Sequence, residues 1–261
     1  MDLTVAEIRT RLQVANSVEF AALERSLAAD TRKGVRQAVE TARKRLSAEA
    51  AEEARLKSLY AFDNSFLSAE GGIVVGLDEV GRGAVAGPLA VGAVVLPAEP
   101  IVAGLNDSKQ IKPERRVEIA AVIEQAAVAW TVEYVAPEDI DRFGMTTSLR
   151  RAFSGALAKI EAAGITPDVV LVDGNPLHID ERERNVVKGD AKSASIAAAS
   201  IVAKVNRDAL MVELSKQYRP YRFDENKGYG SPQHIEAIRA HGISDAHRAS
   251  FCRSFMQETL F

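Results

Sequence analysis

The sequence predicts an α/β protein in which one mixed β-sheet is flanked by helices, with a helical N-terminal extension and a helical C-terminal region. Three observations predict it. Before residue 71, apolar residues recur at three- and four-residue steps, the helical period. From residue 73, two short β-branched runs come first, and later runs alternate with helical stretches, the order of a mixed sheet. Glycine and proline punctuate the chain accordingly: no glycine lies between Gly34 and Gly71, and no proline precedes Pro88.

In the first 70 residues, Thr4-x-x-Glu7 is a capping-box pattern ahead of Ile8 and Leu12. Asp30 is placed to cap a second, longer helix along which Val35, Val39, Ala42, Leu46 and Ala50 repeat. Asp63-Asn64-Ser65 and Gly71-Gly72 then break the pattern, so the expected units are 1–70 and 71–261. The extension has few large apolar residues for a core of its own. It reads either as a separable appendage or as a helix pair packed permanently on the domain.

The second part opens with the apolar run Ile73 to Leu77, a buried strand, and Leu89 to Leu96 is a second run. Pro113 starts a helix that continues to about Ala127. Val128 to Val135 alternates as a strand, and a helix from Thr146 to Ala163 stops at Gly164. Val169 to Val172 suits a central parallel strand, and Asn185 to Val187 a further short one. The alanine-rich stretch from Ala191 to about Tyr218 is strongly helical. A basic loop over 218–230 leads to a helix over 232–241 and a C-terminal helical stretch.

Composition excludes several classes. Of 261 residues, 47% are apolar and 26% charged, which rules out disordered and fibrous chains. The uncharged stretch from Gly83 to Pro97 is too short to span a bilayer. The N-terminus carries acids and is amphipathic, unlike a secretory signal. The single cysteine, Cys252, cannot form an internal disulfide, so a reducing, cytoplasmic setting is expected. The net charge of −3 gives no global hint of a polyanionic partner, yet residues 182–253 hold 13 Lys/Arg against 8 Asp/Glu. That excess is either a solvated basic face or a patch facing an anionic polymer.

Four carboxylates stand out by position. Asp78 and Glu79 close the first strand of the second part, Asp173 closes the strand VVLV, and Asp190 precedes the alanine-rich helix. Ligand sites of open α/β sheets lie at carboxyl ends of strands. Carboxylates gathered there suit Mg²⁺ or Mn²⁺, which prefer oxygen ligands. Asp190 suits a helix N-cap equally well. Adjacent strand residues point to opposite faces, so Asp78 and Glu79 share a site only if the chain bends, and Gly81 and Gly83 would allow that.

Other chemistries fit less well. Gly81-x-Gly83-x-x-x-Gly87 follows a strand like a dinucleotide-binding turn, but Pro88 and a β-branched run follow where a helix would be needed. The histidines form no HExxH pattern, no cysteine pairs exist, and no G-x-S-x-G nucleophile motif is present.

The motifs together resemble a known family. Gly76-Leu77-Asp78-Glu79-Val80-Gly81-Arg82-Gly83 with Ala86-Gly87-Pro88 resembles the opening signature of the ribonuclease HII family. Asp107-Ser108-Lys109, Val172-Asp173-Gly174 and Lys188-Gly189-Asp190-Ala191-Lys192-Ser193 match further blocks in order. So do the helix from Ile196 to Asp208, Lys227-Gly228-Tyr229-Gly230-Ser231 and His247-Arg248-x-Ser250-Phe251. The resemblance runs from about residue 72 to 254. It implies an RNase H-like fold and an endonuclease that cleaves the RNA strand of RNA–DNA hybrids. It also implies nicking of duplex DNA 5′ of an embedded ribonucleotide, leaving a 3′-hydroxyl and a 5′-phosphate. It assigns catalysis and metal binding to Asp78, Glu79, Asp173 and Asp190, with Mn²⁺ or Mg²⁺, two per site when substrate is bound. It assigns reading of the RNA–DNA junction to Gly81, Arg82 and Gly83, and substrate sensing to Tyr229. Lys109 and Lys192, with Lys188 and Arg207, are candidates for backbone-phosphate contacts, or else solvated surface. The expected enzyme is a cytoplasmic monomer with no membrane partner. A non-catalytic hybrid-binding protein and a nucleotide-dependent oxidoreductase are the alternatives; the intact carboxylates speak against the first.

Overall fold

Between Val5 and Asn64 the backbone is helical except for breaks at residues 15–16 and 27–32. The structure, a computed structural model, describes residues 3–256. Contacts divide the chain into units of 1–57 and 58–261.

The first unit contains α1 (Val5–Val14), α2 (Ser17–Ser26) and most of α3 (Lys33–Asn64). The Thr4 capping box forms as expected: the Glu7 amide donates to the Thr4 hydroxyl, and the Glu7 carboxylate accepts from the Thr4 amide at 2.8 Å. A second box, Asn16 with Glu19, starts a helix that the sequence does not separate from the first. The unit also has a small core, contrary to expectation: Ile8, Leu12, Ala15, Phe20, Val35, Ala38 and Ala42 are buried together. Arg45 Nη2 donates to the Ala15 carbonyl at 2.7 Å, satisfying one of the orphan acceptors at the end of α1.

The second unit is built on a five-stranded sheet of order β3-β2-β1-β4-β5. Its strands are β1 (Val74–Val80), β2 (Leu89–Val95), β3 (Ala129–Val135), β4 (Val169–Asp173) and β5 (Glu183–Val186). β1, β2 and β3 pair antiparallel, whereas β1, β4 and β5 pair parallel. One face packs on α6 (Met145–Ala162), with Val75, Leu77, Val91, Val170 and Val172 against Leu149, Phe153, Leu157 and Ile160. The other face carries α7 (Ala194–Gln217) at very close range. A Cβ at Gly76 would lie 2.2 Å from the Ser195 carbonyl carbon, and one at Gly92 2.4 Å from the Ala199 oxygen. Glycine on the sheet and alanine on the helix are therefore a matched requirement.

The remaining helices are α4 (Pro113–Ala126), α5 (Pro137–Phe143), α8 (Phe223–Asn226), α9 (Pro232–His241) and α10 (Ala249–Met256). The C-terminal ones gather around Met211, Tyr221, Phe223, Ile238 and Cys252. The expected boundary at residue 70/71 differs from the division observed. Residues 58–70 pack within the second unit, where Phe62, Phe66 and Leu67 cover Val169, Leu171, Val186 and Ile196. Asp63 Oδ2 accepts from the Ser195 amide at 2.8 Å, in the first turn of α7.

Candidate active site

The antiparallel register of β1 with β2 runs unbroken from Gly76↔Val94 to Val80↔Ala90. No bulge brings Asp78 and Glu79 to one side, so the expected bend is absent. The parallel register explains their convergence instead. β4 last pairs with β1 at Leu77↔Val172 and ends one residue later at Asp173. Asp78 and Glu79 thus stand where the sheet has lost its partner on that side, and a cleft of about 460 Å³ opens there. Asp78, Glu79 and Asp173 line it, together with Gly81, Arg82, Gly83, Lys109 and Tyr229.

Asp78 is the most enclosed of the acids, 7% exposed. Burial raises its carboxyl well above the usual range; a Ser200 hydrogen bond opposes this, while the charges of Glu79 and Asp173 reinforce it. Glu79 is also pushed up by burial, and Arg82, whose Nη1 lies 3.6 Å from its Oε1, counters that. Asp173 accepts from the Gly189 amide at 2.6 Å, which ties the end of β4 to the turn Gly189–Ala191 carrying Asp190. Asp190 does not cap α7. The cap is Ser193, whose hydroxyl accepts from the Ile196 amide at 3.1 Å. Asp190 is half-buried and raised by that burial and by the charges of Asp107 and Asp173, with Lys109 opposing.

Not every expected residue reaches the cleft. Asp190 stands beside its lining, and Lys192 is exposed, with Nζ on the Val187 carbonyl at 2.8 Å. Arg207 is buried rather than presented to a polyanion. Three further polar lining residues were missed as site residues: Ser108, Ser200 and Lys204. Ser108 and Ser200 join hydroxyls at 3.0 Å, and Lys204 pairs with Asp208 at 2.7 Å. For Ser200 and Lys204 the signal was available as polar residues on an otherwise apolar helix face, whereas Ser108 lies in a turn before α4.

The donor chemistry can be tested against a divalent cation. All donors are carboxylate oxygens, their charges are crowded, and burial penalises them, the situation a hard cation relieves. Among the described residues no three Asp, Glu, His or Cys side chains already form a closed ligand set. The acids therefore fit a cation that would take its other ligands from water or phosphate, as Mg²⁺ commonly does.

The chain matches a family model described as Ribonuclease HII over residues 75–254, and one described as Ribonuclease HII N-terminal domain over residues 4–67. It is 37% identical over 222 residues to a curated ribonuclease HII of Bacillus cereus (strain AH820), covering 85% of each chain. The chain belongs to the ribonuclease HII family. It is accordingly an enzyme of the ribonuclease H type, an endoribonuclease acting on RNA–DNA hybrids. Solved structures of similar ribonucleases agree. The ribonuclease H2 of Pyrococcus horikoshii OT3 superposes with a TM-score of 0.59 at 27% identity, covering 70% of this chain and 96% of that one. The RNase HII from Archaeoglobus fulgidus, solved in complex with PCNA, gives 0.61 at 26% identity, covering 72% and 98%. The expected RNase H-like sheet is thus the fold found. Among the described residues no helix is long and apolar enough to cross a membrane.

Proposed function

We propose that this ribonuclease HII homologue nicks duplex DNA on the 5′ side of an embedded ribonucleotide, besides cleaving RNA–DNA hybrids, and leaves 3′-hydroxyl and 5′-phosphate ends. The observation that carries the reading is one cleft lined at once by Asp78, Glu79 and Asp173, by the turn Gly81–Gly83 and by Tyr229. Asp190 belongs to the same acidic group through the Gly189–Asp173 hydrogen bond.

Each part of the cleft has a task. A Cβ at Gly83 would meet nothing within 4 Å, so neither packing nor backbone strain demands glycine there. The missing side chain leaves room for something from outside, and a 2′-hydroxyl lying against the backbone is what separates RNA from DNA. Tyr229, 39% exposed, offers a ring to a sugar or base. Arg82 and Lys109 suit phosphate oxygens. Asp78, Glu79, Asp173 and Asp190 would hold Mn²⁺ or Mg²⁺. Two such ions, when bound, would supply an activated water and charge stabilisation on the leaving 3′-oxygen. The carboxylates themselves fix where that chemistry occurs, at the end of β1. The same reading gives the protein a role in ribonucleotide excision repair, and we propose that it acts as a cytoplasmic monomer.

The test is a DNA duplex holding one ribonucleotide, incubated with the protein and Mn²⁺ or Mg²⁺, with the nick mapped at nucleotide resolution. A single nick 5′ of the ribonucleotide, lost in chelator and reduced by orders of magnitude in Asp173→Asn, is expected. Cleavage of the long hybrid with no cut at the lone ribonucleotide would sink the reading.

A further inference from the structure

Two arginines behind the cleft are buried to 0% exposure, and the bonds of their guanidinium groups go to backbone carbonyls. Arg207 donates from Nε to Pro88 at 2.8 Å, from Nη1 to Lys227 at 2.9 Å and from Nη2 to Ala86 at 3.2 Å. Arg248 donates from Nε to Gly87 at 3.0 Å and from Nη1 to Arg82 at 3.1 Å. Its Nη2 is buried without a partner among the described residues.

These acceptors fall on two segments. One is the chain from Arg82 to Pro88, which carries the glycine turn. The other is the loop before Tyr229. Arg207 joins the two, and the Val85 and Ala86 amides, both donating to the Gly228 carbonyl, close the same seam. Arg207 Cζ lies 5.7 Å from the centroid of the Tyr229 ring. Gly81 has φ +89°, and a Cβ there would lie 2.3 Å from Arg207 Nε. The first glycine of the turn therefore makes room for the guanidinium, whereas Gly83 faces open space. On the far side, the Tyr229 carbonyl is held by His234 Nδ1 at 2.8 Å.

Stability does not explain this arrangement. Two adjacent buried cations are costly, and apolar replacements of similar volume are often neutral or stabilising. Burial and the charge of Arg207 together push Arg248 down to about 9. What a planar guanidinium supplies is a rigid, multi-toothed link, which a lysine or an apolar side chain cannot reproduce.

We propose that Arg207 and Arg248 are positioning residues, Arg207 fixing the spacing between the Gly81–Gly83 turn and Tyr229 and Arg248 holding the turn segment from Arg82 to Gly87 in shape, and that they so set the preference for a single embedded ribonucleotide. The inference rests on the functional reading above. Neither side chain touches substrate; Arg207 acts through both elements that do, and Arg248 through the glycine-turn segment alone.

The test compares nicking of a single-ribonucleotide duplex with cleavage of a long RNA–DNA hybrid. Arg207→Lys keeps the charge and loses the fork. The ratio of the two kcat/KM values should fall by about 10-fold or more, because misplacement on the scale of about 1 Å is that costly. Cleavage of the long hybrid, where many registers are available, should change far less. Tyr229→Ala added to Arg207→Lys should lower the ratio no further, since the two changes share one cause. Additive effects, or a parental ratio in a variant with a lowered melting temperature, would overturn the proposal and leave a structural role. Arg248→Lys is the second arm, and loss of folding in both variants would equally establish a structural role. A parent that cleaves the hybrid but never nicks the duplex would instead bring down the functional reading itself, and the proposal with it.

Discussion

Replacing Asp78 by asparagine should make the metal-free protein more stable while removing its activity. Asp78 and Asp173 each follow the last paired position, Leu77 and Val172, of neighbouring parallel strands, which run about 4.8 Å apart. Two unit charges about 5 Å apart at an effective dielectric of about 20 repel by about 3 kcal/mol. Glu79 adds to this, partly offset by Arg82. Against the relief stands the hydrogen bond from Ser200 to the charged carboxylate, worth about 1.5–3 kcal/mol. The amide keeps an oxygen for the Glu79 amide, which bonds Asp78 Oδ1 at 2.7 Å. The balance is a gain of up to about 1.5 kcal/mol, or up to about 6 °C in melting temperature for a unit of this size. The pH dependence has a definite sign. Burial raises the folded-state value above the unfolded one, so the stability that Asp78 contributes is present at low pH. It is lost as pH rises through the raised folded value. Variant and parent should therefore melt together near pH 4 and separate by about pH 8 in chelator. Added Mn²⁺ at about 100 times its dissociation constant should stabilise the parent by about 2.7 kcal/mol and the variant less, reversing the order. Thermal melts at both pH values, with chelator and with Mn²⁺, decide the matter. A variant that melts below the parent at high pH in chelator would refute the crowding argument.

Gly83→Ala should leave the melting temperature within about 1 °C of the parent, since its Cβ enters open space, and yet lower nicking at a lone ribonucleotide by at least about 10-fold. A chain beginning at Gly71 should be several kcal/mol less stable than one beginning at Ser58. The shorter chain lacks the Asp63 bond to the Ser195 amide and the cover that Phe62, Phe66 and Leu67 give the sheet. Urea melts of the two chains compare them directly, and equal midpoints would return the boundary to residue 70/71. Burial and the neighbouring His234 push His247 down to about 4, so the stability it contributes is present above about pH 6.5 and lost as pH falls toward 4. His247→Gln should flatten the acid limb of the stability curve by on the order of 3 kcal/mol, and an unchanged acid limb would show that the pair does not resist protonation.

The sheet was legible because strands buried on one or both faces leave β-branched runs bounded by glycine and proline, as at Leu89–Val95 and Val169–Asp173. The acids were legible because each falls next to an apolar run or the alanine-rich stretch, close to the end of a strand or the start of a helix. What the sequence hid was relational. The convergence of Asp78 with Glu79 depends on where β4 stops pairing, a fact about a strand roughly a hundred residues away. The helix α2 was hidden by a two-residue break at Ala15 and Asn16, which no glycine or proline marks. The division within α3 was hidden because a continuous helix gives no local signal where its contacts change. Arg207 looked like a phosphate contact because arginine is seldom fully buried, and only the carbonyls around it in three dimensions say otherwise.

The alanine-rich helix explains why the two halves of the site stay in register. Ser200, Lys204 and Arg207 recur at i, i+4 and i+7 along α7, on one side of it. Ser200 reaches Asp78, Lys204 lines the cleft, and Arg207 ties the glycine turn to the loop of Tyr229. The alanines between 197 and 203, all buried, let the same helix lie directly on Gly76 and Gly92. Small residues thus fix the depth of the helix against the sheet, and three polar residues turn that depth into positions for chemistry and for recognition. A larger residue in place of Gly92 would lift the helix. It would move the cleavage chemistry and the specificity elements together, since one rigid element carries the supports of both.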